Sequence, residues 1–302
     1  MLYLIVAVIC SALFAVIFKI CQRKEVDTDQ VILFNYVVGA LFTWIPIVLV
    51  AAGKTQDVKF GDFALPLLPS LLAAMMGLFY LLGFTVMDRS TARTGVALTT
   101  VTARSSLVLP LVLCWAFLGD AQPAWLPVAG LIAAMLLIIL PGREKTDRSG
   151  TEYRKAVTAL VLVFLVYGFS DFFLKVAQKS VYDLGGDDLV IDCRLSALSG
   201  VIFLASSLGA AVVCLAKGSF AKHRLTWKAV GLGALLGLAN AGCVSCMLRA
   251  LAAMPAGQFY PLYNIGIVVV GTLAGVLIFR ERMKWLQLAG FALAIVALSF
   301  IF

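Results

Sequence analysis

The chain has few charged residues. Asp, Glu, Lys and Arg make up 13% of its 302 residues, whereas 62% are hydrophobic. A soluble domain carries about a quarter charged residues, and a nucleic-acid-binding or disordered protein is also rich in charge. The composition therefore excludes these three classes, and no polar stretch is long enough for a sizeable domain outside a membrane.

Catalytic and metal-binding motifs are also missing. The one histidine, His223, lies in a basic loop, and there is no G-x-x-x-x-G-K-[ST] phosphate loop. Cys243 and Cys246 form a C-x-x-C, but they stand in an apolar segment without a second pair or a nearby histidine, which favours packing over a metal or redox site. We expect no enzymatic activity, no cofactor, no metal and no nucleic-acid partner.

Long apolar runs dominate what is present. Ten of them lie near residues 2–21, 30–52, 64–87, 94–118, 124–141, 155–178, 190–216, 226–250, 257–279 and 284–302. About 20 apolar residues suffice for a helix to cross a bilayer, and helices satisfy their own backbone groups there. The sequence predicts an all-α, multi-pass integral membrane protein with ten transmembrane helices and the lipid bilayer as its partner.

The ten runs divide into two similar halves. Lys19 at the end of the first run recurs as Lys175 at the end of the sixth, and Asp120 corresponds to Glu281. Five spans are an odd number, so the second half must enter the membrane in the opposite sense, as in many secondary transporters. We predict a first five-helix repeat over 1–141, an inter-repeat loop over 142–154 and a second five-helix repeat over 155–302.

Motifs of the second half resemble a known family. They are Pro261-Leu262, Gly271, Gly275, Phe279-Arg280-Glu281-Arg282 and Gln287-Leu288-Ala289-Gly290. This pattern is similar to that of EamA-type transporters of the drug/metabolite transporter superfamily. In the first half Asp120 replaces the glutamate, and Thr99-Thr100 stand near the expected Pro-Leu. The resemblance implies ten spans in two repeats and a carrier of small metabolites, often an exporter, in the bacterial inner membrane.

The orientation follows from charge. Most of the 24 Lys and Arg residues lie in the loops after the odd-numbered runs, and the positive-inside rule then places both termini outside the cytoplasm. The family resemblance more often implies cytoplasmic termini, so the two arguments differ.

The sixth run carries the clearest candidate site. Tyr167, Asp171 and Lys175 follow each other at four-residue spacing, so they share one helix face. Charge inside a membrane helix is costly, which points to an Asp171–Lys175 ion pair on the substrate path and to Asp171 as the carrier of a coupling proton. The alternative is a structural pair whose lysine reaches the interface. Lys19 either binds an anionic group or only sets topology.

Two further segments complete the predicted substrate site. Arg104 lies in a polar part of the fourth run, where it can bind a carboxylate or phosphate through two parallel hydrogen bonds. The alternative is that it binds backbone carbonyls or Asp171. In the ninth run Pro261 is expected to kink or break the helix beside Tyr260, Tyr263 and Asn264. The alternative there is a tolerated proline with tyrosines at the interface.

Other features have structural interpretations. The pairs Gly233/Gly237 and Gly271/Gly275 are expected to let helices approach closely. Asp120 and Glu281 are expected to cap the helices that follow them.

The sequence favours a secondary-active exporter or exchanger of small polar metabolites, such as amino acids or organic anions, working by alternating access. Efflux of hydrophobic cations or drugs, flipping of a lipid-linked substrate, and a membrane-embedded enzyme or scaffold without transport remain alternatives.

Overall fold

The computed structural model describes residues 1–24, 26–50, 52, 61, 64–94, 96–139, 150–219, 225–279 and 284–300. Within these ranges the chain forms helices and no strand, which confirms the all-α class. The helices are α1 (Leu2–Arg23), α2 (Thr28–Leu49), α3 (Leu67–Thr94), α4 (Val96–Ser105), α5 (Val108–Leu118), α6 (Trp125–Ile139), α7 (Gly150–Tyr182), α8 (Asp188–Lys217), α9 (Trp227–Ala253), α10 (Ala256–Phe279) and α11 (Trp285–Leu298).

Seven helical segments among the described residues are long and apolar enough to cross a membrane. They are Thr28–Leu49, Leu67–Thr91, Thr99–Leu118, Tyr153–Tyr182, Asp188–Lys217, Trp227–Ala253 and Ala256–Ile278. Three shorter apolar segments accompany them, at Leu2–Phe18, Trp125–Ile139 and Trp285–Ala297. These lengths are compatible with a multi-pass membrane protein, and the count of ten spans stays a prediction.

The fourth apolar run is interrupted rather than continuous. α4 ends at Ser105 and α5 begins at Val108. Pro110 has no N–H to donate to the carbonyl of Ser106 four residues earlier, and a proline ring also clashes with that carbonyl. The Ser106 carbonyl instead accepts the N–H of Leu109 at 2.9 Å, which makes a tighter turn between the two half-helices.

The helices form two compact units. The first contains Met1–Leu81 and Phe173–Ala252, and the second contains Leu82–Phe172 and Ala253–Phe302. Each unit therefore draws helices from both halves of the sequence, and α3 and α7 each contribute to both. Most of the predicted inter-repeat loop, from 142 to 149, lies outside the described residues.

In the first unit α2 packs against α8 in antiparallel fashion. Asp29 near the start of α2 forms an ion pair with Lys217 at the end of α8, with Nζ and Oδ1 2.8 Å apart. At the other end Ile47 packs with Cys193 and Ala197. Between them, a Cβ on Gly200 would lie 2.7 Å from the Trp44 indole, so this glycine allows the close approach.

Glycines also bring α9 against α2 in the first unit. A Cβ on Gly233 would lie 2.6 Å from that of Phe34, and one on Gly237 would lie 2.5 Å from the Asn35 carbonyl oxygen. The prediction for this glycine pair is confirmed. The prediction for Gly271 is wrong, because a Cβ there would meet no atom of the described residues within 4 Å, and the surroundings of Gly275 lie outside the described part of the structure. Motif spacing is the same in both pairs, and only the neighbouring helix distinguishes them.

α3 contacts α8 in the same way. A Cβ on Gly77 would collide with the Ile202 carbonyl oxygen and lie 2.7 Å from the Cβ of Ala205. Gly77 precedes Gly233 by 156 residues, the same separation as between Lys19 and Lys175. The two glycines therefore stand at corresponding positions of the two predicted repeats.

In the second unit α6 and α11 are the antiparallel pair. A Cβ on Gly130 would lie 3.1 Å from the Cβ of Ala297, whereas one on Gly290 would lie 2.7 Å from the Ile138 side chain. The Gln287 amide accepts the Lys284 N–H at 2.8 Å, and it also donates to the Ile138 carbonyl at 3.0 Å. Gln287 of the Gln-x-x-Gly motif thus caps the start of α11 and bonds it to α6, and Gly290 allows the two helices to pack closely.

Replacing Gly77 by alanine should destabilise the protein by about 1–3 kcal/mol, because the added methyl group overlaps the α8 backbone. Gly231→Ala is the matched control in α9, where a Cβ would meet no described atom within 4 Å, and it should leave stability unchanged or slightly raised. Thermal unfolding of both variants in detergent measures the difference. Equal melting temperatures would contradict the packing.

Candidate functional site

The second unit contains six of the eight predicted site residues. They are Arg104 in α4, Tyr167 and Asp171 in α7, and Tyr260, Tyr263 and Asn264 in α10. Lys175 belongs to the first unit, as does Lys19, whose side chain lies outside the described part of the structure.

α7 crosses the interrupted fourth run at Gly168. A Cβ at this position would lie 2.7 Å from the Cβ of Leu109 and 3.0 Å from the Ser106 carbonyl oxygen. Only a glycine allows this approach without displacing the turn. Because Tyr167 and Asp171 flank Gly168 on α7, the contact brings both next to the break.

Arg104 occupies the last turn of α4, immediately before the break. The last carbonyls of α4 find donors across the break: that of Thr102 accepts the Ser106 N–H at 3.1 Å, and that of Ala103 accepts the Ser106 hydroxyl at 2.7 Å. Its Nη1 donates to Oδ1 of Asn264 at 3.4 Å. Its Nε is buried and has no hydrogen-bond partner among the described residues.

Asn264 is held by its own helix. Its Nδ2 donates to the Tyr260 carbonyl at 3.0 Å, which leaves its Oδ1 for Arg104. The hydroxyl of Tyr260 in turn donates to the backbone carbonyl of Asp171. These bonds connect α4, α10 and α7 through polar groups within one unit.

Aromatic rings lie beside the hydrogen bonds that connect α4, α10 and α7. Tyr263 stacks on Phe259, with ring centroids 5.4 Å apart and an interplanar angle of 13°. Tyr167 donates its hydroxyl to the Met87 sulfur at 3.2 Å, and its ring packs on a small apolar cluster that includes Val163. The tyrosines therefore have apolar as well as polar neighbours.

Arg104 and Asp171 are the charged side chains of this group. The Arg104 guanidinium acts electrostatically on both the Asp171 carboxyl and the Tyr167 hydroxyl. Among the described residues, however, Arg104 and Asp171 form no direct ion pair, and the Asp171 side chain is only partly buried. The Arg104 guanidinium and the Asp171 carboxyl thus interact electrostatically without forming a direct ion pair.

Lys175 has a structural partner in the first unit. The side chain is buried, and its Nζ donates to the Leu251 carbonyl at 2.6 Å. Leu251 is within the last four residues of α9, whose carbonyls have no intrahelical donors. The ammonium therefore caps α9, and contact of Lys175 with a substrate stays a prediction.

The interruption lies in a different run from the expected one. α10 continues through Pro261 from Ala256 to Phe279, so the predicted break there is wrong, while a kink at Pro261 stays a prediction. The break occurs between α4 and α5. The sequence analysis missed this break, as well as the roles of Gly168 and Met87. The available signal was Pro110, which follows the polar segment ending at Ser106 by four residues.

Asp120 holds the start of α10. Its Oδ2 accepts the N–H of Ala256 at 3.1 Å, so the prediction that it caps the helix that follows is wrong. Gly119 ends α5 in the left-handed conformation, at φ 71°, and the loop after it passes beside Gly257. Glu281, the other expected cap, lies outside the described residues.

Comparisons with known proteins extend over nearly the whole chain. No family model matches. An uncharacterized protein of Haemophilus influenzae is 25% identical over 300 residues, which are 98% of this chain and 95% of that protein. A solved crystal structure of another protein is 15% identical with a TM-score of 0.70, and the match covers 99% of this chain and 94% of that one. At 15% identity the likeness is one of fold.

Removing the Asp120 carboxylate should loosen the start of α10, the helix that carries Tyr260 and Asn264. Asp120→Ala should cost about 1 kcal/mol, because the Ala256 N–H loses its acceptor. Asp120→Asn keeps an acceptor oxygen and should retain most of the stability. Hydrogen exchange of the amides in the first turn of α10 measures the effect, and equal exchange in both variants would argue against this cap.

Proposed function

We propose that the protein is a secondary-active transporter of small polar metabolites and that Arg104, Asn264, Tyr260, Tyr167 and Asp171 contact the solute. The observation that carries this proposal is the Arg104 guanidinium. It lies at the end of a half-helix within a segment that is long and apolar enough to cross a membrane, and its buried Nε has no partner among the described residues.

A cost argument supports a functional role for this arginine. Placing an arginine at the centre of a membrane helix costs about 2.5–3.5 kcal/mol on insertion scales. A buried, unpaired N–H adds about 1–3 kcal/mol. A purely structural arginine would reduce this cost by pairing all its donors or by forming an ion pair with Asp171, which lies nearby.

The helix arrangement supports the two-repeat architecture typical of secondary transporters. α2 and α8 are the second and seventh apolar runs, and α6 and α11 are the fifth and tenth. Each pair joins equivalent helices of the two proposed repeats and is antiparallel. Inverted five-span repeats place equivalent helices in opposite directions, as these pairs require.

We infer a carrier of the EamA type, with ten spans, in the bacterial inner membrane. The motif resemblance and the repeat arrangement support this assignment. The interrupted fourth run adds support, since transporter binding sites are commonly formed by discontinuous helices whose ends face the solute. Protons are the proposed coupling ion, with Asp171 as the group that binds and releases them.

Efflux of hydrophobic cations is a second candidate. The aromatic rings of Tyr167, Phe259, Tyr260 and Tyr263 lie in the same unit as the Asp171 carboxyl, and aromatic faces together with an acid suit a cation. Arg104 opposes this candidate, because its positive charge repels such a substrate.

Counterflow in proteoliposomes tests the proposal. Vesicles containing the purified protein are loaded separately with amino acids, organic acids, sugar phosphates or cationic dyes. Arg104→Gln should reduce exchange of the accepted solute at least about tenfold, since it removes charged hydrogen bonds. Arg154→Gln, an exposed arginine of α7, is the matched control and should exchange normally. Exchange of dyes alone would favour the second candidate, and silence across the panel would reject transport of these classes.

Asp171→Asn tests proton coupling. The neutral side chain cannot carry a proton, so accumulation driven by a pH gradient should be lost while counterflow of the same solute persists. Uptake with and without an imposed gradient is measured in parallel in the same vesicles. Undiminished gradient-driven accumulation by this variant would exclude Asp171 as the proton carrier.

A further inference from the structure

We propose that Arg104 binds a carboxylate side-on through its Nε and Nη2 groups, and that Asn264 is the positioning residue that leaves this edge of the guanidinium unpaired. This inference rests on the proposed function in one respect only, namely that a solute reaches this group of residues.

The hydrogen bonds of Arg104 define which edge of its guanidinium group is unpaired. Nη1 donates to the Asn264 Oδ1 at 3.4 Å, while Nε is buried and has no partner among the described residues. A guanidinium presents Nε–H and one Nη2–H in parallel along one edge. Since Asn264 takes Nη1, on the other side, the edge that includes Nε is left for a ligand.

The amide orientation of Asn264 is fixed by a second bond. Its Nδ2 donates to the Tyr260 carbonyl at 3.0 Å, so its oxygen must point to the guanidinium. Tyr260 is fully buried and is anchored by its hydroxyl to the Asp171 backbone. Asn264 thus holds Nη1 through an oxygen whose direction is fixed, and this bond orients the Nε edge of the guanidinium.

The shape and charge of the site favour a carboxylate. Its two oxygens lie in one plane and match two parallel N–H donors. A phosphate can bind the same edge, but its second negative charge would lie near the Asp171 carboxyl, which already interacts electrostatically with Arg104. A single carboxylate, alone or on a molecule that also carries a cationic group, avoids this repulsion.

Protection of Arg104 from chemical modification tests the inference in detergent solution. Phenylglyoxal modifies accessible guanidinium groups, and peptide mass mapping gives the rate at each arginine. The probes are acetate, glycine betaine, inorganic phosphate and tetramethylammonium at matched ionic strength. Arg249, which is paired with Asp192 at 2.9 Å in the first unit, is the internal control.

Acetate or glycine betaine should slow modification of Arg104 and leave Arg249 unchanged. The inference is overturned if phosphate protects Arg104 better than both carboxylates, if tetramethylammonium alone protects it, if no probe protects it, or if Arg249 is protected equally.

Asn264→Leu tests the positioning role. The guanidinium should lose its orientation, so about tenfold more acetate should be needed for half-protection, and the preference over phosphate should disappear. Thr272→Val, elsewhere in α10, removes a hydroxyl bonded to the Val268 carbonyl and should change neither value. Melting temperatures are measured alongside; unaltered protection and selectivity in a folded Asn264→Leu protein would exclude this role.

The two proposals fail separately. Protection needs no transport, so selective protection of Arg104 combined with silence in counterflow would reject the proposed function alone. Counterflow of an organic anion without protection of Arg104 would reject this inference alone.

Discussion

The missing backbone hydrogen bond at Pro110 determines the arrangement around the candidate site. A membrane helix must satisfy its own polar groups, and the Ser106 carbonyl can only do so through a tighter turn with Leu109. This turn ends α4 one residue after Arg104. α7 also crosses this turn closely at Gly168, and the crossing brings Tyr167 and Asp171 next to the end of α4, where Arg104 lies.

Close approach at glycines holds each unit together. Lipid chains are as apolar as leucine, so helices in a membrane gain little from burying apolar surface and depend on tight packing. Gly77, Gly200 and Gly237 serve this purpose in the first unit, and Gly130 and Gly290 serve it in the second. Buried polar groups at helix ends complete the packing, as the Lys175 ammonium does at the end of α9.

The balance of charge around the proposed solute differs from the one that the sequence suggests. Lys19, Lys175 and Arg104 outnumber Asp171 in the chain, which favours an anionic substrate. In the structure Lys175 bonds to the Leu251 carbonyl in the first unit, and the second unit holds Arg104 with Asp171. Within the second unit a solute at Arg104 therefore meets one positive and one negative group, which favours a single carboxylate over a multiply charged anion.

The sequence by itself determined the helical class, the positions of the apolar runs and six of the residues that meet in the second unit, because apolar length and intramembrane charge are local properties. It also predicted the close contact at Gly233 and Gly237. Only the tertiary structure decided which glycines have a neighbour, since Gly271 has the same spacing but no described atom within 4 Å of a Cβ. The partner of Asp120, the bond of Lys175 to the Leu251 carbonyl and the hydrogen bond of the Arg104 guanidinium to Asn264 also depended on it. Each of these is set by residues far away in the chain, which no local pattern contains.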